Sequence, residues 1–353
     1  MSTASNYTEV DILKYCGDDY TLDLSWVEIK RKQHKVFVLV MKDDIQFIKD
    51  KVEPFFEVTT TSINDQRYWS IFVDYSNLNQ RTGWESITPS FKGDLEPKRE
   101  YLFNPGEKSI CILQPQDRRL RLQIAVRLCR DILKHLLLDE RISFFHSGMV
   151  VYKDKGICFM GPKKAGKTSS ILSLLSKGEG KFVSNDDLSI TINEKGEFLG
   201  YGWPRALSIR KDAIQSMENV LKDFDFSHSL EHPDNFIEEL SNHIFLYPAD
   251  MCRLFGCEIV PEYKVDKIIF PEFWSENDFQ VKKLDKNEKL LYLENNLDVD
   301  INKYFLDFKD FFPEANGLEV LFPDFLNIEM YAIKQNIEHM HLTSAWISSV
   351  IDE

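Results

Sequence analysis

The sequence predicts an α/β protein in two main parts, a β-rich α+β N-terminal region and a core built around a strand, a glycine loop and a helix. Three observations carry this. Short β-branched and aromatic runs punctuate residues 35–115 with no long helix between them. Apolar residues then recur every four positions over 117–139, which is helical spacing. Finally, the apolar run 156–160 leads into Gly161-Pro162-Lys163-Lys164-Ala165-Gly166-Lys167-Thr168 and a second helical pattern.

The 353 residues suggest about two domains at roughly 150 residues each. The reading places a β-rich recognition domain at 1–115, a nucleotide-binding domain at 116–300 and a C-terminal extension at 301–353. The first domain draws on "KVFVLVMK" (35–42), "RYWSIFVDY" (67–75) and "KSICILQP" (108–115). With no long helix between them, these strands are expected to form an antiparallel sheet of their own. "VDILKYCG" (10–17) and "DDIQFIKDKVEPFF" (43–56) are expected to add short helices.

Over 117–139, Leu120, Ile124, Leu128, Ile132 and Leu136 form one apolar stripe. The opposite face carries Arg118, Arg119, Arg121, Arg127 and Arg130, read as a solvated face. The core follows as strands over 142–145, 148–152 and 156–160, the loop, and a helix ending at Gly178. Strands over 181–184, 188–192 and 197–201 come next, the last two joined by a hairpin at "NEKG". Segments 211–224 and 234–244 read as helical, 265–274 as a strand and its exit, and 285–297 as a helix. The end, "NIEHMHLTSAWISSVIDE", fits a helix or a strand pair equally well.

The formal net charge of −14 argues against a free-standing nucleic-acid binder, which is usually basic. No apolar run approaches the roughly 18 residues a membrane span needs. The N-terminus lacks the basic-then-apolar pattern of a secretory signal, and the six cysteines are scattered. Reduced thiols and a cytoplasmic location are expected. Cys252 and Cys257 have no second Cys/His pair nearby at metal-ligand spacing.

The stretch 161–168 matches the Walker A pattern in full. Gly161 and Gly166 allow the backbone to curl, so that successive N–H groups face the phosphates of a nucleotide such as ATP. Lys167 supplies a charge for the terminal phosphates, and the Thr168 hydroxyl can ligate Mg2+. Ser169 and the rest of the first helical turn direct a positive helix end at the same anion. Nineteen residues after Lys167 come Asp186 and Asp187, at the end of the next strand. One carboxylate can hold Mg2+ and the other can accept a proton from an attacking hydroxyl. Both are candidate catalytic residues, and Asp187 joins Thr168 as a candidate metal ligand; the sequence does not assign the base.

The stretch "FFHSGMVVYKDKGICFMGPKKAGKTSSILSLLSKGEGKFVSNDDLSI" resembles the core of the HPr kinase/phosphorylase family, itself related to the nucleotide site of phosphoenolpyruvate carboxykinase. The resemblance spans about 117–297 and implies a P-loop kinase core of that type. It gives His146 the place of an active-site histidine, and Arg205 and Arg210 the place of phosphate contacts. After the Asp pair, "YGWPRALSIR" stands where the regulatory bacterial enzyme carries a Glu-containing segment rich in Arg and Gly. That departure points away from HPr and toward relatives found beside ribosomal-peptide pathways, some of which phosphorylate a peptide serine. The resemblance therefore implies an ATP- and Mg2+-dependent serine kinase whose partner is a protein or peptide with an acceptor Ser. The regulatory members are hexamers, so a homo-oligomer is admitted as well. Two alternatives stay open: an ATP-binding assembly or peptide-delivery protein, and phosphotransfer to a small molecule.

Overall fold

In the computed structural model, the described residues are 6–7, 23–62, 64–73, 83–88, 98–138, 142–226, 231–276, 279–297 and 322–351. The helix expected over 10–17, Cys16 and residues 301–321 of the C-terminal extension lie outside them. The chain forms two compact units, one from the described residues up to 138 and one from those beyond 142. The protein is a mixture of helices and sheets, and no helix among the described residues is long and apolar enough to cross a membrane.

The first unit holds β1 (Leu24–Arg31), β2 (His34–Met41), α1 (Ile45–Val52), β3 (Glu57–Thr61), β4 (Trp69–Phe72), β5 (Glu85–Ile87), β6 (Glu100–Asn104), β7 (Ser109–Gln114) and α2 (Arg118–Leu136). Its seven strands run in the order β3-β1-β2-β4-β7-β6-β5. The sheet is mixed rather than antiparallel, because β2 pairs parallel with β4 and β4 parallel with β7. Both connections are long enough for a crossover, and α2 packs on β2, β4 and β7 to cover the parallel centre. Trp26, Phe37, Leu39 and Phe72 build an aromatic cluster, and Val36, Val38 and Val40 occupy the alternate face.

Helix α2 thus belongs with the first sheet, whereas the sequence reading placed it in the nucleotide-binding part. Its arginines are a solvated face only in part: Arg118 and Arg119 are exposed, while Arg121 and Arg127 are half-buried and Arg130 is buried. Arg130 is 5 % exposed and bonds Asp131 at 2.8 Å. Arg118 reaches Asp44 at 2.7 Å, and Arg121 donates to the Gln116 carbonyl. A guanidinium buried against the sheet, as at Arg130, must find a partner within the unit.

The second unit holds β8 (Ser143–Phe145), β9 (Ser147–Tyr152), β10 (Lys155–Met160), α3 (Lys167–Leu175), β11 (Gly180–Ser184), β12 (Leu188–Ile192), β13 (Phe198–Gly202) and β14 (Leu207–Arg210). It continues with α4 (Lys211–Ser216), α5 (Glu218–Leu221), β15 (His243–Leu246), α6 (Pro248–Phe255), β16 (Glu262–Lys264), β17 (Lys267–Phe273), β18 (Gln280–Lys283) and α7 (Lys286–Glu294). It closes with α8 (Phe322–Phe325), β19 (Glu329–Gln335) and α9 (Met340–Ile351). One sheet runs β11-β9-β10-β17-β19-β18, and a second runs β8-β12-β13-β16. Their facing side chains, among them Met149, Cys158, Ile268, Leu188 and Phe198, form one core. Helix α3 packs on β9, β10 and β11, and α9 packs on α3.

The end of the chain is a helix, settling a choice the sequence left open. Segment 234–244 is not helical as expected: it forms short 3₁₀ turns and then enters β15. Asn235 explains the change. Its amide donates to the Phe245 carbonyl at 2.9 Å and accepts from the Phe245 N–H at 2.8 Å, acting as a strand partner.

Candidate functional site

The site follows from two crossings between the sheets. The chain leaves β8 of one sheet for β9 of the other at His146, and leaves β11 for β12 at Asn185–Asp187. Phe145 pairs with Leu188 on one side of the crossing, and Met149 pairs with Ser184 on the other. The two crossings therefore lie side by side, and His146 Nε2 comes to 3.8 Å from Asp186 Oδ1. Gly148 permits this closeness: a Cβ there would sit 2.4 Å from Ile171 Cδ1 and 2.9 Å from the Ser184 carbonyl.

The glycine loop, residues 161–166, joins β10 to α3. Gly166 has φ +102°, and Lys164 also adopts a left-handed angle. Gly161 does not; its need is room, since a Cβ would meet the Ala165 methyl at 2.9 Å. Lys167 is 4 % exposed and reaches back across the loop. Its Nζ donates to the carbonyls of Gly161 at 2.7 Å and Pro162 at 3.1 Å, and lies 3.6 Å from Asp186 Oδ1. Burial lowers the Lys167 pKa, and the Asp186 carboxylate opposes that shift.

Thr168 Oγ1 donates to Asn185 Oδ1 at 3.0 Å, and Asn185 Nδ2 donates to Asp186 Oδ2 at 3.3 Å. Asp186 has φ +59°, and its side chain is 27 % exposed, whereas Asp187 is buried. Arg205 donates to the Asp186 carbonyl at 3.5 Å. The structure thus brings Lys167, Thr168, Asp186, His146 and Arg205 together. It does not bring Arg210 into that group: Arg210 ends β14 opposite His243 and bonds Asp212. Pro162, Lys163, Lys164 and Ala165 form the outer wall of the loop, and Ser169 is buried in the first turn of α3.

Two residues escaped the sequence reading. Asn185 joins the Thr168 hydroxyl to the Asp186 carboxylate, and its only signal was its place in "SNDD". Gln335, fully buried, donates to the Gly166 carbonyl at 3.4 Å and accepts from Ser170 and Thr343 hydroxyls. It ends a strand far along the chain, so no local pattern could announce it. Beside the loop, a cleft of about 680 Å³ opens at the carboxyl ends of β10, β17 and β19. Phe273, Tyr292 and Ile333 give it apolar walls, and Lys163, Lys164 and Lys334 line it with charge.

These residues fit a nucleotide phosphate and Mg2+. The curled loop, the buried ammonium and the start of α3 offer positive charge to one point. The Thr168 hydroxyl and the neighbouring carboxylates are hard oxygen donors. Among the described residues no three His, Cys, Asp or Glu side chains form a metal centre by themselves. Mg2+ takes one or two carboxylates together with substrate phosphates.

No family model matches the chain, and no curated protein sequence matches it. Among solved structures the chain is similar to the HPr(Ser) kinase/phosphatase from Coxiella burnetii, at 12 % identity, covering 59 % of this chain and 93 % of that one. The TM-score is 0.26, which makes that protein a distant structural neighbour.

Proposed function

We propose that the protein is an ATP-dependent serine kinase that transfers the γ-phosphate to a Ser hydroxyl of a protein or peptide. The observation that carries this is Asp186, which lies within 3.6 Å of the Lys167 ammonium and 3.8 Å of His146 while remaining partly open to solvent. A partly open carboxylate in that position can accept the proton of an incoming hydroxyl. Loop N–H groups and Lys167 bind the phosphates, Lys167 exchanging its bonds to Gly161 and Pro162 for phosphate oxygens. Thr168 and Asp187 would hold Mg2+, which would supply charge neutralisation for the phosphates. Asp186 accepts the proton of the incoming hydroxyl, and His146 and Arg205 fix its position. The cleft beside the loop takes the nucleoside.

The test is incubation with Mg-ATP and a panel of Ser-containing peptides, read by mass spectrometry. Asp186→Asn is expected to lower transfer about 10²–10⁴-fold, the usual weight of a general base, while still binding nucleotide. Bound ATP with no phosphate gained by any peptide would favour an assembly protein instead.

A further inference from the structure

The second unit carries a dithiol that the proposed kinase chemistry does not use. Helix α6 ends in a left-handed residue, Gly256 at φ +63°. The Gly256 N–H bonds the Arg253 carbonyl, and the Cys257 N–H bonds the Cys252 carbonyl at 2.9 Å. This pair of bonds is the Schellman ending, in which the residue after the left-handed one folds back over the helix's last turn. The two side chains so apposed are normally apolar. Here both are cysteines, so the fold-back sets two thiol side chains beside each other. We propose that Cys252 and Cys257 are a redox modification site that closes to a disulfide under peroxide.

The two thiols are unlike. Cys252 is buried at 5 % exposure, whereas Cys257 is half-buried and within reach of a small oxidant. Interaction between the two thiols raises the Cys252 pKa and lowers that of Cys257, so Cys257 is the more readily ionised of the pair. Its sulfur attacks one oxygen of hydrogen peroxide, the O–O bond breaks, and hydroxide leaves as water with a proton. The resulting sulfenic acid is attacked by the Cys252 sulfur; the S–O bond breaks, and the Cys252 proton leaves in a second water. Two thiols are oxidised by two electrons and one peroxide is reduced to two waters. The backbone bond from the Cys257 N–H to the Cys252 carbonyl brings the two residues together, and the disulfide to be formed is about 2.05 Å long. Cys111, Cys129 and Cys158 are fully buried, and burial pushes the Cys158 thiol up to about 12, so they do not compete.

The site adjoins the strand that leads to the aspartates. Directly after Cys257, the Glu258 carbonyl accepts the Phe182 N–H at 2.8 Å, and the Val260 N–H donates to Phe182, all alongside β11. Oxidation therefore fixes the turn that supports β11.

The experiment treats the folded full-length chain with hydrogen peroxide, alkylates it and digests it with trypsin. Arg253 lies between the cysteines, so cleavage there separates them unless a disulfide joins the fragments. The expected result is a linked pair of peptides that reduction releases, with alkylation of both cysteines falling at least tenfold. In Cys252→Ser, Cys257 is expected to accumulate as a sulfenic acid that dimedone traps. Equal alkylation of both thiols before and after peroxide, over-oxidation of Cys257 without a link, or linkage to Cys16 instead would each overturn the assignment.

Discussion

Glu329 begins β19 between two ammonium groups, Lys267 Nζ at 2.6 Å and Lys283 Nζ on its other oxygen. Hydrogen bonds from these lysines hold its carboxyl at about 2, against an ordinary 4.5. The fold favours the ionised form, so its stabilisation is whole above 4.5 and is lost as pH falls toward 2. The side chain is 41 % exposed, and solvent screening trims the contribution to about 1 kcal/mol. Glu329→Gln should therefore unfold at lower urea than the wild type at neutral pH and at the same urea near pH 2, measured by fluorescence. Gln335 makes the opposite case, a neutral group in a dry place. Gln335→Leu keeps the bulk but strands the buried Thr343 hydroxyl and removes a donor from Gly166. A loss of about 2 kcal/mol in stability, with weaker nucleotide binding, is expected from denaturation and calorimetry.

The junction of β10 with α3 depends on one backbone angle. A Cβ on Gly166 would lie 2.3 Å from Gln335 Nε2, and φ +102° is itself costly for any other residue. Gly166→Ala is expected to lose about 2 kcal/mol and to release nucleotide, with the circular dichroism of the other elements unchanged. This loop and its flanking strand and helix were plain in the sequence, because their signals are local: an apolar run, two glycines at fixed spacing, and a helical period. The hairpins around it were equally plain, since turn residues mark them. Segment 234–244 was not, because the helical spacing of its apolar residues says nothing about an Asn235 amide bonded to a strand ten residues on. The parallel pairing of β2 with β4 and β4 with β7 was hidden for the same reason. Pairing direction depends on where a crossover returns, and strand composition does not record it.

An acidic chain must make a locally positive site if it is to hold a polyanion. Lys163, Lys164, Lys167 and Arg205 supply that reversal around the loop, against a net charge of −14. Mg-ATP at a hundredfold above its dissociation constant should therefore stabilise the protein by about 2.7 kcal/mol. A thermal shift with Mg-ATP that largely disappears with EDTA would show this; no shift in either condition would count against the proposed nucleotide site. The residue types of the proposed site could be read from one-dimensional spacing, because its glycines, lysine and hydroxyl follow one another in a fixed local order. The sequence left Asp186 and Asp187 equivalent. Folding separates them: the left-handed angle at Asp186 turns its carboxylate to Lys167 and His146, while Asp187 is buried. Arg118 and Arg119 of α2 stay at the surface, whereas Arg130 becomes an internal partner of Asp131, because a helix laid on a sheet buries more than its apolar stripe. Short-range chemistry is written along the chain. Which strands cross beside one another, and so which charges meet, is set only by the closed sheets, since sequence neighbours say little about contacts made between distant segments.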